Sequence, residues 1–164
     1  MKEKTTTILI MCEGVNDLLF IEACLKRFYN AIFSETDIEK DITRGEKTSV
    51  LCKIREQFQV RIRQVKGCNN LPNPLFINEL IDNLAEGGQN IVIFDADKPG
   101  YGNNGFKLCC QKLDDIQKNY KVSFGQFLWP DNNEKDGEVE DLLVELIPEK
   151  YKAVYSCIEA HQEC

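Results

Sequence analysis

The spacing of hydrophobic positions divides the chain into short strand-like runs separated by longer helix-like stretches. Short runs of apolar and β-branched residues predict buried strands, and the alternating run QVRIRQV predicts a strand that keeps its arginines on one side. Apolar residues that recur every three or four positions predict amphipathic helices. Strands are expected at residues 5–12, 59–65, 90–97 and 122–130, and helices at 15–30, 47–58, 75–88, 105–120, 139–147 and 148–162.

Strands that alternate with helices are typical of an α/β fold, in which helices flank a mostly parallel central sheet in a Rossmann-like arrangement. The length of 164 residues suits one domain, with a core at about 7–147 and a C-terminal helix at 148–162. The polar segment 34–45 is expected to be a loop. In open sheets of this kind, ligands bind beyond the carboxyl ends of the strands.

Composition narrows the class of protein. Hydrophobic residues make up 43% and charged residues 29%, and no apolar run approaches the roughly 18 residues of a membrane span. We therefore expect a cytoplasmic protein without membrane contact. The eight cysteines form no Cys-x-x-Cys pair. Five of them lie in apolar or periodic segments and are expected to be small hydrophobes: Cys12, Cys24, Cys52, Cys109 and Cys110. One weak metal pattern, Cys157, His161 and Cys164, lacks a fourth ligand, and an ordinary terminal helix is the favoured interpretation.

Charge is distributed unevenly along the chain, although the net charge of −7 is unfavourable for nucleic-acid binding. Residues 44–66 carry seven basic and two acidic side chains, whereas 131–149 carry eight acidic side chains and one basic one. On a strand, Arg61 and Arg63 point the same way and form a short basic row. The row is a candidate contact for the phosphates of DNA or RNA. The alternative is that it pairs with acids of the 131–149 segment.

Both of the most strongly buried strands end in acidic residues. Glu13 follows the first strand, and Asp95 and Asp97 end the later one. If these strands are neighbours in the sheet, three carboxylates converge at one edge and repel each other. A hard divalent cation such as Mg²⁺ removes that repulsion, polarises a phosphoryl oxygen and activates water. The arrangement therefore suits phosphodiester chemistry.

Two stretches that carry these acids resemble a known family. ILIMCEGVNDLLFI is similar to the first motif of the TOPRIM (topoisomerase–primase) domain, and IVIFDADKPG is similar to its second motif. The resemblance implies that Glu13 is a general acid/base or metal ligand and that Asp95 and Asp97 bind Mg²⁺. Asp17 matches the acid of the first motif. Its alternative role is to favour a helix dipole from the first turn.

A third stretch, DGEVEDLLVEL, resembles the Gly-x-apolar-Glu motif of TOPRIM domains in OLD-type nucleases. The resemblance implies that Glu140 is a further metal ligand, with Glu138 and Asp141 as acidic neighbours. The alternative is a helix N-terminus that carries acids. Lys98, which follows the Asp-x-Asp motif, is a candidate catalytic phosphate contact, and the loop GYGNNG after it is either a substrate loop or a turn.

Together these features predict a stand-alone TOPRIM protein that depends on Mg²⁺, with Mn²⁺ as a substitute, and acts as a nuclease on DNA or RNA. It is related by resemblance to OLD-type and ribosomal-RNA maturation nucleases. The alternative is a non-catalytic TOPRIM module that binds metal or nucleic acid and supports a partner enzyme. A protein partner or a homo-oligomer is compatible with both. A phosphatase of the haloacid-dehalogenase type also has Asp-x-Asp after a buried strand, but DADKPG fits that class poorly.

Overall fold

A computed structural model describes residues 5–40, 45, 47–54 and 58–162 of the chain. Strands and helices alternate through most of it, with a short 3₁₀ helix at Cys68–Asn70. The strands are β1 (Thr6–Cys12), β2 (Ile32–Lys40), β3 (Lys47–Ile54), β4 (Phe58–Gln64), β5 (Gln89–Asp95) and β6 (Gly125–Trp129). The helices are α1 (Val15–Tyr29), α2 (Pro74–Ala85), α3 (Phe106–Tyr120), α4 (Val139–Glu145) and α5 (Glu149–Gln162).

The strands of the described residues form one sheet in the order β2-β3-β4-β1-β5-β6. β1 lies in the middle and pairs in parallel with both β4 and β5, and β6 continues the parallel arrangement beside β5. β3 runs antiparallel to both β2 and β4. The prediction of an α/β fold with a mostly parallel central sheet is confirmed.

The antiparallel side of the sheet corrects two sequence predictions. The prediction of a helix at 47–58 is wrong, because Lys47–Ile54 forms β3. The prediction of a loop at 34–45 is wrong over residues 34–40, which belong to β2 (Ile32–Lys40). Val50 and Cys52, at alternate positions of β3, are 0% and 2% exposed, which is the period of a strand. Pairing with a strand on each side outweighs the helix preference of the segment. The rest of both predicted elements falls partly on residues 41–44 and 55–57, outside the described residues.

Apolar layers cover both faces of the sheet. Leu9 and Met11 of β1 pack in a cluster that includes Leu80 of α2 and side chains of α3. Ile10 points to the opposite face and packs in a cluster with Leu18 of α1. Because β1 is central and buried on both sides, it reads as a continuous apolar run rather than an alternating one. Because β1 is central, the residue that follows it, Glu13, lies in the middle of the sheet at its carboxyl edge.

The last two helices contribute less to the core. Leu146, Tyr151 and Val154 of this region are 62%, 53% and 59% exposed. Cys157 is an exposed free thiol on α5, whereas the side chain of His161 and all of Cys164 lie outside the described residues, so the weak metal pattern is not tested. None of the described helices has the length and hydrophobicity that crossing a membrane requires.

Candidate metal centre

The carboxyl ends of β1 and β5 bring three acidic side chains together. The Oε2 atom of Glu13 accepts a hydrogen bond of 3.2 Å from the backbone N–H of Asp95. Asp97 lies two residues further along, with a left-handed φ of 60° and a backbone N–H that donates to Gly137 O at 2.8 Å. The neighbouring strands expected from the sequence are present, and the side chains of Glu13, Asp95 and Asp97 line one cleft.

Asn103 connects all three acids, and sequence reasoning did not single it out. Its side-chain amide donates to Glu13 Oε2 at 3.1 Å and to Asp95 O at 2.7 Å, and its backbone N–H donates to Asp97 Oδ2 at 2.5 Å. The residue is only 3% exposed. The only sequence signal for it is the loop GYGNNG directly after the Asp-x-Asp motif. The structure therefore makes this loop part of the candidate site.

Each of the three carboxylates keeps one oxygen free of protein donors. Hydrogen bonds reach Glu13 Oε2 and Asp97 Oδ2, as above, and Asp95 Oδ1 accepts from Val139 N at 3.0 Å. The second oxygen of each group receives no hydrogen bond from the described residues. The protein thus orients each carboxylate through one oxygen and leaves the other for a ligand. That division suits monodentate binding of a cation by each carboxylate.

The electrostatics of the three acids are unfavourable without a counter-charge. Burial raises the pKa of the Glu13 carboxyl to about 7, and the charge of Asp97 adds to the rise. Burial also raises the pKa of Asp95 to about 8, followed by the repulsion from Asp17 and Glu13. Both carboxyls are therefore protonated in part near neutral pH in the metal-free protein. A bound cation would favour their ionised forms and release those protons.

Asp17 lies beside the cleft but is committed to structure. Its Oδ2 accepts from Gly14 N at 2.8 Å as part of a capping box at the start of α1, and its Oδ1 accepts from Trp129 Nε1 at 2.9 Å. The side chain is buried, at 2% exposure. Both oxygens therefore have protein donors, in contrast to those of Glu13, Asp95 and Asp97. The geometry favours the helix-start role for Asp17 over direct contact with a ligand.

The acids of the third motif border the same cleft from α4. Glu138 and Glu140 line it, and Asn16 donates from its side chain to Glu140 Oε1 at 3.3 Å. Asp141 forms a capping box with Glu138 at the helix start and lies 3.8 Å from Lys98 Nζ. The structure therefore brings Glu140 to the acidic centre, while Asp141 and Lys98 pair with each other at its rim.

The cleft encloses about 440 Å³, enough for a hydrated cation and part of a substrate. Within the described ranges, no three His, Cys, Asp or Glu side chains already stand in a geometry that could hold a metal ion. The carboxylates would have to move together around a cation. The donor set nevertheless fits Mg²⁺ chemically, since it consists of oxygens with one position per carboxylate left open.

Arg61 and Arg63 lie outside this cleft, in a groove of about 520 Å³ between the sheet and α2. Arg63 forms ion pairs with Glu39 and with Glu79, the latter at 3.6 Å, and Arg61 lies 3.9 Å from Glu39. The alternative prediction, that the arginine row pairs with acids of the 131–149 segment, is therefore wrong. The acids that face the arginines are Glu39 of β2 and Glu79 of α2. The structure does not bring the arginine row and the three acids into one cavity.

Comparison with known proteins supports the fold and identifies the family. The crystal structure of hypothetical protein PH0156 from Pyrococcus horikoshii OT3 is similar, with a TM-score of 0.57 and 16% identity over 97% of this chain and 75% of that chain. At this identity the likeness shows the fold alone. No curated protein matches the sequence significantly. The family model described as "Protein of unknown function (DUF3226)" matches residues 7–163, and this chain therefore belongs to that family.

Proposed function

We propose that the protein is a TOPRIM-type enzyme that uses Mg²⁺, or Mn²⁺ in its place, to cleave phosphodiester bonds in nucleic acid. The observation that carries the proposal is the convergence of Glu13, Asp95 and Asp97 in one cleft, each with one oxygen held by the protein and one left open. A divalent cation bound there would polarise a phosphoryl oxygen and lower the pKa of a water molecule.

The side chains around the cleft have separate roles in this proposal. Glu13, whose pKa burial raises to about 7 in the metal-free protein, serves as the general acid/base through its open Oε1. Asp95 and Asp97 hold the cation, and Glu140 is a further ligand from the start of α4. Lys98, with a side chain 66% exposed, reaches a substrate phosphate from the rim.

The proposed place of action is the cytoplasm, where thiols stay reduced. The cysteines of the described residues are all free, although the buried side chains of Cys68 and Cys109 form a hydrogen bond with each other. Free thiols in this number support a reducing compartment.

The second candidate is a module that binds metal or nucleic acid, cleaves nothing and supports a partner enzyme. The net charge of −7 favours the metal-binding form of this module, because polyanions such as nucleic acid are repelled by such a protein outside local basic strips. The pairing of Arg63 with Glu39 and Glu79 favours it as well, since part of the basic row is already neutralised.

Cleavage of labelled single-stranded and duplex DNA and RNA, with Mg²⁺, Mn²⁺ or EDTA, tests the first candidate. We expect metal-dependent cleavage by the natural protein and a loss of at least about 100-fold for Glu13→Gln and Asp97→Asn. Asp115→Asn, which changes an exposed carboxylate on α3, is the matched control and should cleave normally. Binding of metal or nucleic acid without cleavage would instead support the second candidate.

A further inference from the structure

Gln64 is the last residue of β4 and lies on the α1 face of the sheet. Its Cα pairs with that of Cys12, and the backbone N–H of the second residue after it donates to Glu13 O at 2.8 Å. Val60 and Ile62, which share its face, are 2% and 0% exposed. An apolar residue would continue this packing. Gln64 instead carries an amide to the wall of the acidic cleft.

The amide oxygen of Gln64 has no hydrogen-bond partner among the described residues. The residue is 9% exposed, and its Oε1 is shielded from solvent and accepts no hydrogen bond from the described residues. Such an acceptor costs free energy, and buried polar groups in native proteins almost always have a partner. Carboxylates line much of the cleft around it, and once a bound cation favours their ionised forms they accept hydrogen bonds rather than donate them. The missing partner is therefore best supplied by a ligand that carries positive charge.

We propose that Gln64 Oε1 is a neutral oxygen ligand of the divalent cation held by Asp95 and Asp97. The inference rests on the proposed function, because it requires a cation in this cleft. Hard cations accept amide oxygens together with carboxylates. A neutral ligand adds a coordinating oxygen without adding another negative charge to a cleft where burial already raises the pKa of its acids.

Gln64→Met tests the role, because it keeps the shape of the side chain and removes the oxygen. Gln126→Met is a matched control, since the Oε1 of Gln126 is also buried without a partner but does not line the cleft. Gln64→Glu is a second variant that replaces the neutral oxygen by a carboxylate. The measurement is the dissociation constant for Mn²⁺, obtained from the electron paramagnetic resonance signal of the free ion, together with the melting temperature of the metal-free protein.

We expect Gln64→Met to weaken Mn²⁺ binding about 10-fold while the metal-free protein melts at the natural temperature or above it. Gln126→Met should bind Mn²⁺ like the natural protein, and Gln64→Glu should bind it at least as tightly. Unchanged Mn²⁺ affinity in Gln64→Met overturns the assignment and leaves the proposed function standing. Should Gln64→Met fail to fold, weaker Mn²⁺ binding by a folded Gln64→Glu overturns it. Absence of Mn²⁺ binding by the natural protein overturns the metal centre and the role of Gln64 together.

Discussion

Two glycines of the loop after the Asp-x-Asp motif have different reasons to be glycine. A Cβ on Gly102, where φ is 34°, would lie 2.1 Å from Asp97 Oδ2. A Cβ on Gly100, where φ is 91°, would meet no atom within 4 Å. The positive φ favours glycine at both positions. Only at Gly102 would a side chain also prevent the loop from lying close to the acidic centre.

Gly102→Ala should therefore damage the candidate metal centre, whereas Gly100→Ala should not. Each substitution strains the backbone and is expected to lower the free energy of unfolding by about 1 kcal/mol or more. Only Gly102→Ala also displaces the Asp97 carboxylate. Melting curves with and without millimolar Mg²⁺ should show stabilisation by the ion in Gly100→Ala and none in Gly102→Ala. Equal stabilisation of the two variants would show that the loop contact does not matter for the ion.

Glu22 is a buried acid of α1 whose charge is compensated. It is 6% exposed and forms ion pairs with Lys26 and with Lys47, at 2.5 and 2.9 Å. Burial opposes its ionisation, but the hydrogen bonds and positive charges of the two lysines outweigh that cost and lower its pKa. The folded protein therefore binds this proton less tightly than the unfolded chain does. Its contribution to stability is present above the unfolded pKa of about 4.3 and is lost as pH falls through the folded value.

Glu22→Gln should lower the free energy of unfolding at pH 7 by about 1 kcal/mol, with the difference closing below about pH 4. Urea unfolding from pH 3 to pH 7 measures this dependence. Glu149→Gln is the control, because its pair with Lys152 at 2.6 Å is exposed and should contribute little at any pH. If Glu22→Gln lowers the free energy of unfolding by the same amount at every pH from 3 to 7, packing rather than charge is responsible.

At the residue scale, the sequence predicted those site residues whose position follows from local pattern. Glu13 and Asp95 each follow a buried apolar run, so their place at the sheet edge follows from strand ends alone. Asn103 could not be predicted in this way. Its contact with Glu13 spans 90 positions and depends on the path of a loop with several left-handed residues, which apolar periodicity does not encode.

At the scale of elements, the errors concentrate on the antiparallel side of the sheet. The parallel strands β1 and β5 are buried on both faces and have an unmistakable apolar pattern. β3 carries Lys47 and Lys53 on either side of its buried positions, and short segments with mixed residues of this kind fit a helix or a strand equally well. Only pairing with β2 and β4 decides between the two, and pairing partners are tertiary information.

The same antiparallel strands determine what the arginine row can do. Arg63 is 18% exposed in its side chain, pairs with Glu39 and Glu79 and lies 5.9 Å from the ring of Phe76. Arg61 is 36% exposed in its side chain and has one distant ion pair among the described residues. The two arginines are therefore unequal, although they are equivalent in the sequence pattern. Arg61 is the better candidate for a phosphate contact.

Single substitutions should separate the two roles. Arg61→Gln should lower the log–log salt slope of nucleic-acid binding by about one unit and change the free energy of unfolding by less than about 1 kcal/mol. Arg63→Gln should instead destabilise the fold by about 2 kcal/mol, because it leaves Glu79 largely buried without its partner. Binding titrations at several salt concentrations and urea unfolding supply both values. An unchanged slope in Arg61→Gln would remove the row from the nucleic-acid interface.

At the scale of the whole molecule, the distribution of acids opposes stability in the metal-free state. The carboxylates that line the cleft come from the end of β1, from β5 and the loop after it, and from α4. Burial, together with repulsion among these acids, raises the pKa values of Glu13 and Asp95. A protein of net charge −7 gains little by such an arrangement unless a cation joins it. The cost to stability and the proposed metal function therefore have the same cause.

This shared cause makes stability itself a test of the metal centre. Asp97→Asn removes one negative charge, and the new side chain can still accept the hydrogen bond that Asn103 N donates to Asp97 Oδ2. Asparagine also tolerates the left-handed φ of 60° at this position. The metal-free variant should thus be as stable as the natural protein or slightly more stable. Asp115→Asn again serves as the control for the loss of one carboxylate.

Addition of Mg²⁺ should then reverse the order of the two proteins. A ligand that binds only the folded state stabilises it by about 2.7 kcal/mol at a hundredfold excess over its dissociation constant. For a chain of this length that corresponds to a rise in melting temperature of several degrees, which calorimetry resolves. We expect this rise in the natural protein and in Asp115→Asn, and its absence in Asp97→Asn. A natural protein that melts at the same temperature with and without millimolar Mg²⁺ or Mn²⁺ would contradict the metal centre, and the repulsion in the cleft would then have to be relieved by protons alone.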